Sequence, residues 1–218
     1  MFKLMVAGYQ KYLESDTLGL TNAAEQVKTL IQEHGTTGLQ MDGHSRGTLT
    51  ITNAYSSLLN DGDAGAYPNL RTNMVGAAAN IKRADAKLAT LQGRNEILTH
   101  DPANPNISTY RSTTEGEKED MSIHYQGHAA DPIHGMIGFN SSTGGTTKPN
   151  NVLGIIKEAG RSILGKETTA HNCYGVGSEA CKQQGLLENK QPMKWEPVYK
   201  LKIEKKFKNN NQNKQEGK

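Results

Sequence analysis

Apolar residues recur along the chain at two alternating spacings, which predict the order of its secondary-structure elements. Apolar residues that recur every three or four positions predict helices. Short apolar runs, and strict alternation of apolar and polar residues, predict strands. A first helix is capped by Thr21-Asn22 and ended by Gly35, and further helices cover residues 48–59, 81–91 and 152–164. Predicted strands are residues 36–41, 70–79, 96–99, 121–126 and 198–203. This alternation favours an α/β fold with a mainly parallel sheet flanked by helices.

Polar segments between these elements predict loops and a tail. Residues 101–120 form a long polar insertion, and residues 135–149, which are rich in Gly, Ser and Thr, form a loop. The Lys-, Asn- and Gln-rich composition after residue 204 is typical of disorder. We therefore expect one module over residues 1–203 and a disordered tail over residues 204–218.

Composition and charge exclude several classes of protein. The chain of 218 residues is 34% hydrophobic and 22% charged, which is compatible with one globular domain. No apolar run approaches the ~18 residues of a membrane span, and residues 1–15 are too interrupted for a secretory signal peptide. The net charge is +3, but residues 200–218 hold seven Lys and two Glu, so the other 199 residues sum to −2. Nucleic-acid binding by the module is therefore not expected.

A Gly-x-Ser-x-Gly motif carries the main chemical signal. Gly43, Ser45 and Gly47 lie between a predicted strand and a predicted helix, as a nucleophile elbow requires. A Cβ at either glycine is expected to collide with a neighbouring element, and the Arg46 N–H is expected to face a developing oxyanion. Composition alone produces the bare motif about 0.12 times per chain. Its plainer interpretation is a turn in which Ser45 caps the helix.

A serine nucleophile needs a base and an orienting acid, and both have downstream candidates. His171 is the only histidine in the last third of the chain, so it is the predicted base, and His128 is its strongest rival. Asp131 and Asp101 each follow a strand and precede proline. Asp131 is preferred because a tight turn follows it, and Asp101 remains the alternative acid. The order Ser45, Asp131, His171 is that of α/β-hydrolase triads.

A cluster of short-spaced side chains offers a competing metal interpretation. Its members are His124, His128, Asp131 and His134. Intervening Gly and Pro residues break any helix that would align these ligands on one face, so we predict no metal and no other cofactor.

Two cysteines lie just after the predicted base. Cys173 and Cys181 either close a nine-residue loop as a disulfide or remain two thiols, and the sequence leaves both alternatives open. A disulfide there is worth ~2.5 kcal/mol by chain entropy. It would also hold the segment that carries His171 in place.

Several blocks of the sequence resemble, in order, the C-terminal region of filamentous-hemagglutinin-like bacterial exoproteins. The blocks are VAGYQKYLESDTLGL, GLQMDGHSRGTLTITNA, MVGAAAN, HAADPIHGMIGFN and AHNCYG, and the resemblance covers roughly Val6 to Cys181. Such exoproteins are very large, are exported by two-partner secretion, and in some cases end in toxin modules. The GHSRG block is also similar to the elbow of lipase-like α/β-hydrolases.

The resemblance implies a secreted or cell-surface setting, in adhesion or interbacterial competition. It does not establish catalysis. The similarity of the GHSRG block to the lipase-like elbow implies a serine hydrolase with an ester or lipid substrate, with Ser45, Asp131 and His171 as the catalytic residues. A target-cell surface or membrane and a cognate immunity protein are the implied partners. The alternative is a non-catalytic adhesin or toxin-delivery segment that retains the turn for structure. A third alternative is a nuclease or nucleic-acid-binding toxin that acts through the Lys-rich tail. The net charge of −2 on the other 199 residues argues against it.

One departure from the hydrolase pattern concerns the start of the chain. Only 42 residues precede Gly43, which allows one strand at most, whereas a complete α/β-hydrolase has several strands before its elbow. We therefore expect a partial, N-terminally truncated hydrolase-like layer with no assigned second oxyanion donor. Loss of one such donor typically costs ~10²–10³ in turnover.

Overall fold

Four strands in the described part of the chain form one mixed sheet with helices packed on it, a broadly α/β arrangement. The computed structural model describes residues 22–94, 115–146, 152–163, 169–175, 178–187 and 193–199. The strand predicted at residues 96–99, the alternative acid Asp101 and the predicted tail lie outside these ranges.

The elements alternate along the chain in the described ranges. The helices are α1 (Asn22–His34), α2 (Gly47–Asn60), α3 (Ile81–Leu91), α4 (Glu115–Met121), α5 (Val152–Ile163) and α6 (Ser178–Gln183). The strands are β1 (Gln40–His44), β2 (Arg71–Val75), β3 (His124–Gln126) and β4 (Glu196–Pro197). A π-helical turn (Ile133–Ile137) follows β3, and a 3-10 turn (Ala170–Asn172) precedes α6. No helix within these ranges has the length and apolar character required to cross a bilayer.

The strand order places the ends of three strands side by side. β1, β2 and β3 are parallel neighbours, and β4 pairs antiparallel with β3. Gly43 lies beside Met74, and Met74 lies beside Tyr125. The expectation of a mainly parallel sheet holds for the first two pairs and fails at the third. Because parallel strands end at one edge of a sheet, the segments after β1, β2 and β3 meet there.

One hydrophobic core holds this layer together. Helices α1, α2 and α3 and all of the strands except β4 contribute to it, and its fully buried members include Ile31, Tyr55, Leu58, Met74, Leu88 and Tyr125. Burial of side chains of this size stabilises the fold by about 1.5–3 kcal/mol each. The core thus fixes the sheet on which the site is built.

The first strand begins later than its sequence pattern predicts. Residues 36–41 were expected to be extended, but the end of α1 continues into a turn. The Gly35 N–H donates to the Ile31 carbonyl at 2.7 Å, and the Gly38 N–H donates to the His34 carbonyl at 3.3 Å. Gly38 adopts a φ of 125°, which favours glycine, so β1 starts only at Gln40.

Two segments predicted to be loop are partly helical. The end of the polar insertion forms α4, so the strand predicted at residues 121–126 is reduced to β3. The start of the Gly/Ser/Thr-rich loop forms the π-helical turn because the Asp131 carboxylate accepts hydrogen bonds from the N–H groups of Ile133 and His134. This interaction is local, because Asp131 caps N–H groups two and three residues ahead, but the composition of the segment does not reveal it.

Two further expectations fail at the edges of the fold. The strand predicted after Pro197 is absent where the structure describes it, since β4 ends at Pro197 and residues 198–199 are helical. The helical spacing of Ala23, Val27, Leu30 and Ile31 predicts that these residues of α1 face inward, but Leu30 is 47% exposed and Ala24, rather than Ala23, is fully buried. The inward-facing stripe therefore runs through Ala24, Val27 and Ile31, of which Val27 and Ile31 were predicted.

Candidate active site

Ser45 occupies a sharp turn between β1 and α2. Its φ of +52° lies in the left-handed region that non-glycine residues rarely adopt. The Ser45 N–H donates to the Val75 carbonyl at 3.1 Å, and the Ala78 N–H donates to the Ser45 carbonyl at 3.3 Å. The Thr48 hydroxyl also donates to the Ser45 carbonyl, at 2.6 Å. A strained serine that neighbouring elements hold in place is typical of a functional position.

His171 joins Ser45 to Asp131 through its two ring nitrogens. His171 Nε2 lies 3.0 Å from Ser45 Oγ, and His171 Nδ1 lies 2.9 Å from Asp131 Oδ2 and 3.0 Å from Asp131 Oδ1. If Nδ1 donates its hydrogen to the carboxylate, Nε2 is left to accept the serine hydrogen. This is the geometry of a nucleophile, a base and an orienting acid. The structure thus brings together Ser45, the predicted base His171 and the preferred acid Asp131.

The Asp131 carboxylate is buried and surrounded by donors. Its Oδ1 accepts from the Ile133 N–H at 2.8 Å, and its Oδ2 accepts from the Tyr174 hydroxyl at 2.7 Å. Burial by itself raises the pKa of Asp131, but the hydrogen bond and charge of His171, with the Tyr174 hydrogen bond, outweigh burial and hold that pKa below its usual range. The carboxylate is therefore charged at neutral pH.

Sequence reasoning did not single out His44, which stacks on the base. The His44 and His171 ring centroids are 5.1 Å apart, with 21° between the ring planes. Burial and, to a lesser extent, repulsion by His171 lower the pKa of His44, against the opposing effects of a hydrogen bond to the His171 backbone and the Asp131 charge. A neutral imidazole therefore lies against His171 at neutral pH. The position directly before Ser45 was the one available signal.

Arg46 lies where the motif predicts, directly after the serine. It is the N-cap residue of α2, and its carbonyl accepts from the N–H groups of Leu49 and Thr50. The helix N-terminus therefore begins beside Ser45, where its dipole favours negative charge.

The rival histidines serve other contacts. His128 is buried, its Nδ1 accepts from the Ala130 N–H at 3.0 Å, and its Nε2 lies 2.6 Å from the Leu186 carbonyl. These two contacts define the neutral tautomer that carries its hydrogen on Nε2, and they link His128 to the backbone at Ala130 and Leu186. His134 is also buried, with Nε2 2.9 Å from the Ser141 carbonyl. Within the described ranges, no group of three or more His, Cys, Asp or Glu side chains is placed to hold a metal ion.

Cys173 and Cys181 form a disulfide, which resolves the alternative that the sequence left open. The bridge ties the 3-10 turn that carries His171 to α6. Both sulfur atoms lie in a second hydrophobic cluster that also contains Tyr174, Leu187 and Met193. The segment that carries His171, the predicted base, is therefore held by a covalent link and by packing.

The two glycines of the elbow, Gly43 and Gly47, differ in the space around the position that a Cβ would occupy. A Cβ at Gly43 would lie 3.0 Å from Ile51 Cδ1 and 3.2 Å from Thr48 Cγ2, so this residue permits the close approach of α2. A Cβ at Gly47 would meet no side chain or neighbouring backbone within 4 Å. The expected collision is therefore wrong for Gly47, because a Cβ there would enter open space.

Gly76 is the glycine that the site requires, although the motif does not contain it. Its φ is +52°, and a Cβ there would lie 2.7 Å from Tyr174 Cε2 and 3.1 Å from Asp131 Oδ2.

We expect Gly76→Ala to lower the free energy of unfolding by about 2 kcal/mol, because it adds both backbone strain and overpacking. Gly47→Ala is expected to leave it unchanged or to raise it by up to ~1 kcal/mol through helix propensity.

Urea unfolding of both variants measures this difference. Equal stability of Gly76→Ala and wild type would mean that the packing of Tyr174 on Gly76 does not constrain the site.

Comparisons of the chain with protein-family models, with curated proteins and with solved structures find no match. The geometry of the described residues is therefore what supports a function.

Proposed function

We propose that this chain is a serine hydrolase that cleaves an ester by acyl transfer through Ser45, His171 and Asp131. The observation that carries the proposal is the pair of His171 hydrogen bonds, one to a serine on a strained turn and one to a buried carboxylate. A serine that merely caps a helix needs neither the base nor the acid.

The chemistry proceeds in two proton-balanced halves. Ser45 Oγ attacks the ester carbonyl while His171 Nε2 takes the hydroxyl proton, and the tetrahedral adduct collapses as His171 returns that proton to the leaving alcohol. Water then attacks the acyl-serine, with His171 again accepting and returning the proton, and the acid is released. Asp131 stabilises the imidazolium in both halves. The Arg46 N–H and the α2 N-terminus supply favourable potential for the oxyanion.

The finer fold that we propose is the later part of an α/β-hydrolase layer. In support, an elbow serine follows β1, an acid follows β3, and the base comes later in the chain. The antiparallel β4 departs from that pattern.

The setting that we propose is a secreted or cell-surface exoprotein of the filamentous-hemagglutinin-like kind. The Cys173–Cys181 disulfide supports it, because such bonds persist in oxidising compartments. A lipid ester of a target-cell membrane is the proposed substrate, and a cognate immunity protein is a proposed partner. The competing proposal is a non-catalytic adhesin or toxin-delivery segment, which predicts no reaction at Ser45.

Labelling with a fluorophosphonate probe and turnover of short- and long-chain acyl esters test the function. We expect wild type to react and Ser45→Ala to lose labelling and at least ~10⁴-fold in turnover. The matched control is Ser57→Ala on α2, which removes a partly buried serine remote from the turn and is expected to label like wild type. Equal turnover by wild type and Ser45→Ala, or no labelling of wild type, would favour the non-catalytic proposal.

A further inference from the structure

Tyr174 connects the acid of the site to the segment that carries the base. Its hydroxyl donates to Asp131 Oδ2 at 2.7 Å and accepts from the His128 N–H at 3.0 Å. Burial and the Asp131 charge raise the pKa of Tyr174 well above its ordinary value, so the hydroxyl remains a donor. In sequence it directly follows Cys173, which forms the disulfide.

We propose that Tyr174 is a positioning residue of the acyl-transfer site, whose hydroxyl holds the Asp131 carboxylate and sets how strongly its charge acts on His171. This inference rests on the proposed function and adds a group that acts through the acid. It makes no contact with the reacting ester in this role.

The hydroxyl proton of Tyr174 has a defined direction. Because the oxygen already accepts the His128 N–H, its own hydrogen is directed to Asp131. The Ile133 and His134 N–H groups hold Oδ1 of the same carboxylate, so Tyr174 holds the other oxygen. Rotation of the carboxylate away from His171 therefore requires the loss of hydrogen bonds at both oxygens.

The Tyr174 ring is also held in place, by packing contacts. It packs against the backbone of Gly76, where a Cβ would come within 2.7 Å of the ring. It also makes edge contacts with the imidazoles of His44 and His171, with centroid distances of 5.8 Å and 6.3 Å. One side chain thus contacts the acid, the base and the residue that stacks on the base.

Three other titratable side chains face this cluster, from two segments of the chain. His44 comes from β1, and His128 and His134 come from the segment after β3. Burial lowers the pKa of His44 and of His134, so both are neutral near pH 7. His128 is neutral because its Nδ1 accepts a backbone hydrogen. Among these groups, Asp131 therefore carries the charge next to His171 near neutral pH, and the Tyr174 hydroxyl donates to it.

Removal of the hydroxyl has a predictable sign. A carboxylate that loses a donor attracts the protonated imidazole more strongly, so the base is freed only at higher pH. In Tyr174→Phe we expect the acid limb of the kcat/KM profile to move up by about 0.5–1 pH unit and kcat to fall ~10-fold. The ring remains, so the packing on Gly76 is retained.

The matched control is Tyr67→Phe. The Tyr67 hydroxyl donates to Asp63 Oδ2 at 2.8 Å, so this variant removes the same kind of hydrogen bond in the loop after α2. Both variants are compared with wild type in the pH dependence of turnover of a soluble ester. A shifted limb in Tyr174→Phe with an unshifted one in Tyr67→Phe supports the inference. A fall in turnover with an unshifted limb, or no change at all, would overturn it.

A second readout separates this inference from the proposed function. The pH titration of the His171 ring resonances by NMR does not require turnover. If wild type fails to react with the probe, the proposed function fails. The influence of Tyr174 on His171 is then supported by a titration midpoint that moves up in Tyr174→Phe, and overturned by one that does not.

Discussion

Asp131→Asn is expected to lower kcat/KM by about 10⁴-fold without unfolding the protein. The Ile133 and His134 N–H groups require an acceptor, so the amide oxygen takes the place of Oδ1 and the amide nitrogen faces His171 Nδ1. Nδ1 must then accept rather than donate, which moves the ring proton to Nε2. An imidazole that is protonated at Nε2 cannot accept the Ser45 proton.

Asp42→Asn is the matched control for this prediction. Asp42 lies exposed on β1 and accepts from the Asn73 amide at 2.8 Å, so the substitution is chemically equal but remote from His171. Ester turnover and circular dichroism of both variants are the measurements. Wild-type turnover by folded Asp131→Asn would mean that another carboxylate, such as Asp101, acts as the acid.

Asp85→Ala is expected to lower the free energy of unfolding by about 3–5 kcal/mol, the largest stability change that we predict. Asp85 is fully buried, and its Oδ1 accepts from Arg94 Nη2 at 2.8 Å and from the Ser122 hydroxyl and the Ile123 N–H at 2.9 Å each. Its removal leaves the buried Arg94 guanidinium without its carboxylate partner. This network joins α3 to the start of β3, and therefore supports the strand that precedes Asp131.

The control is an ion pair at the surface. Lys28 Nζ lies 2.6 Å from Asp61 Oδ2, but the Asp61 side chain is 45% exposed. Asp61→Ala is expected to change stability by less than about 1 kcal/mol, because exposed pairs are screened by water. Urea unfolding compares both variants with wild type. Similar losses in the two would show that burial does not set the strength of the Asp85–Arg94 pair.

The sequence predicted much of what local pattern controls. The predicted limits of α3 coincide with the observed ones, Ile81–Leu91, because Asn80 caps its start and Gly93 follows its end with a φ of +68°. Chain order together with the turn after Asp131 pointed to Ser45, Asp131 and His171, which the structure brings into hydrogen-bonding distance. Local signals of this kind depend on residues that are close in sequence or on a known chain order.

What the pattern missed depends on contacts between distant segments. Gly76 and Tyr174 are 98 positions apart, and no sequence pattern near either residue predicts that they are in contact. The late start of β1 depends on how the end of α1 satisfies its backbone hydrogen bonds. The antiparallel pairing of β4 with β3 joins segments that lie far apart in the sequence.

By itself, then, the amino-acid sequence determined the alternation of helices and strands, the glycine-flanked serine and the candidates for its base and acid. Residue spacing reports on structure over a few neighbouring residues, so it does not predict contacts between distant segments. Only the tertiary structure decided that His171 reaches both Ser45 and Asp131, that a disulfide and Tyr174 hold this arrangement, and that Gly76 makes room for it. These features result from close packing, which brings residues together from across the chain.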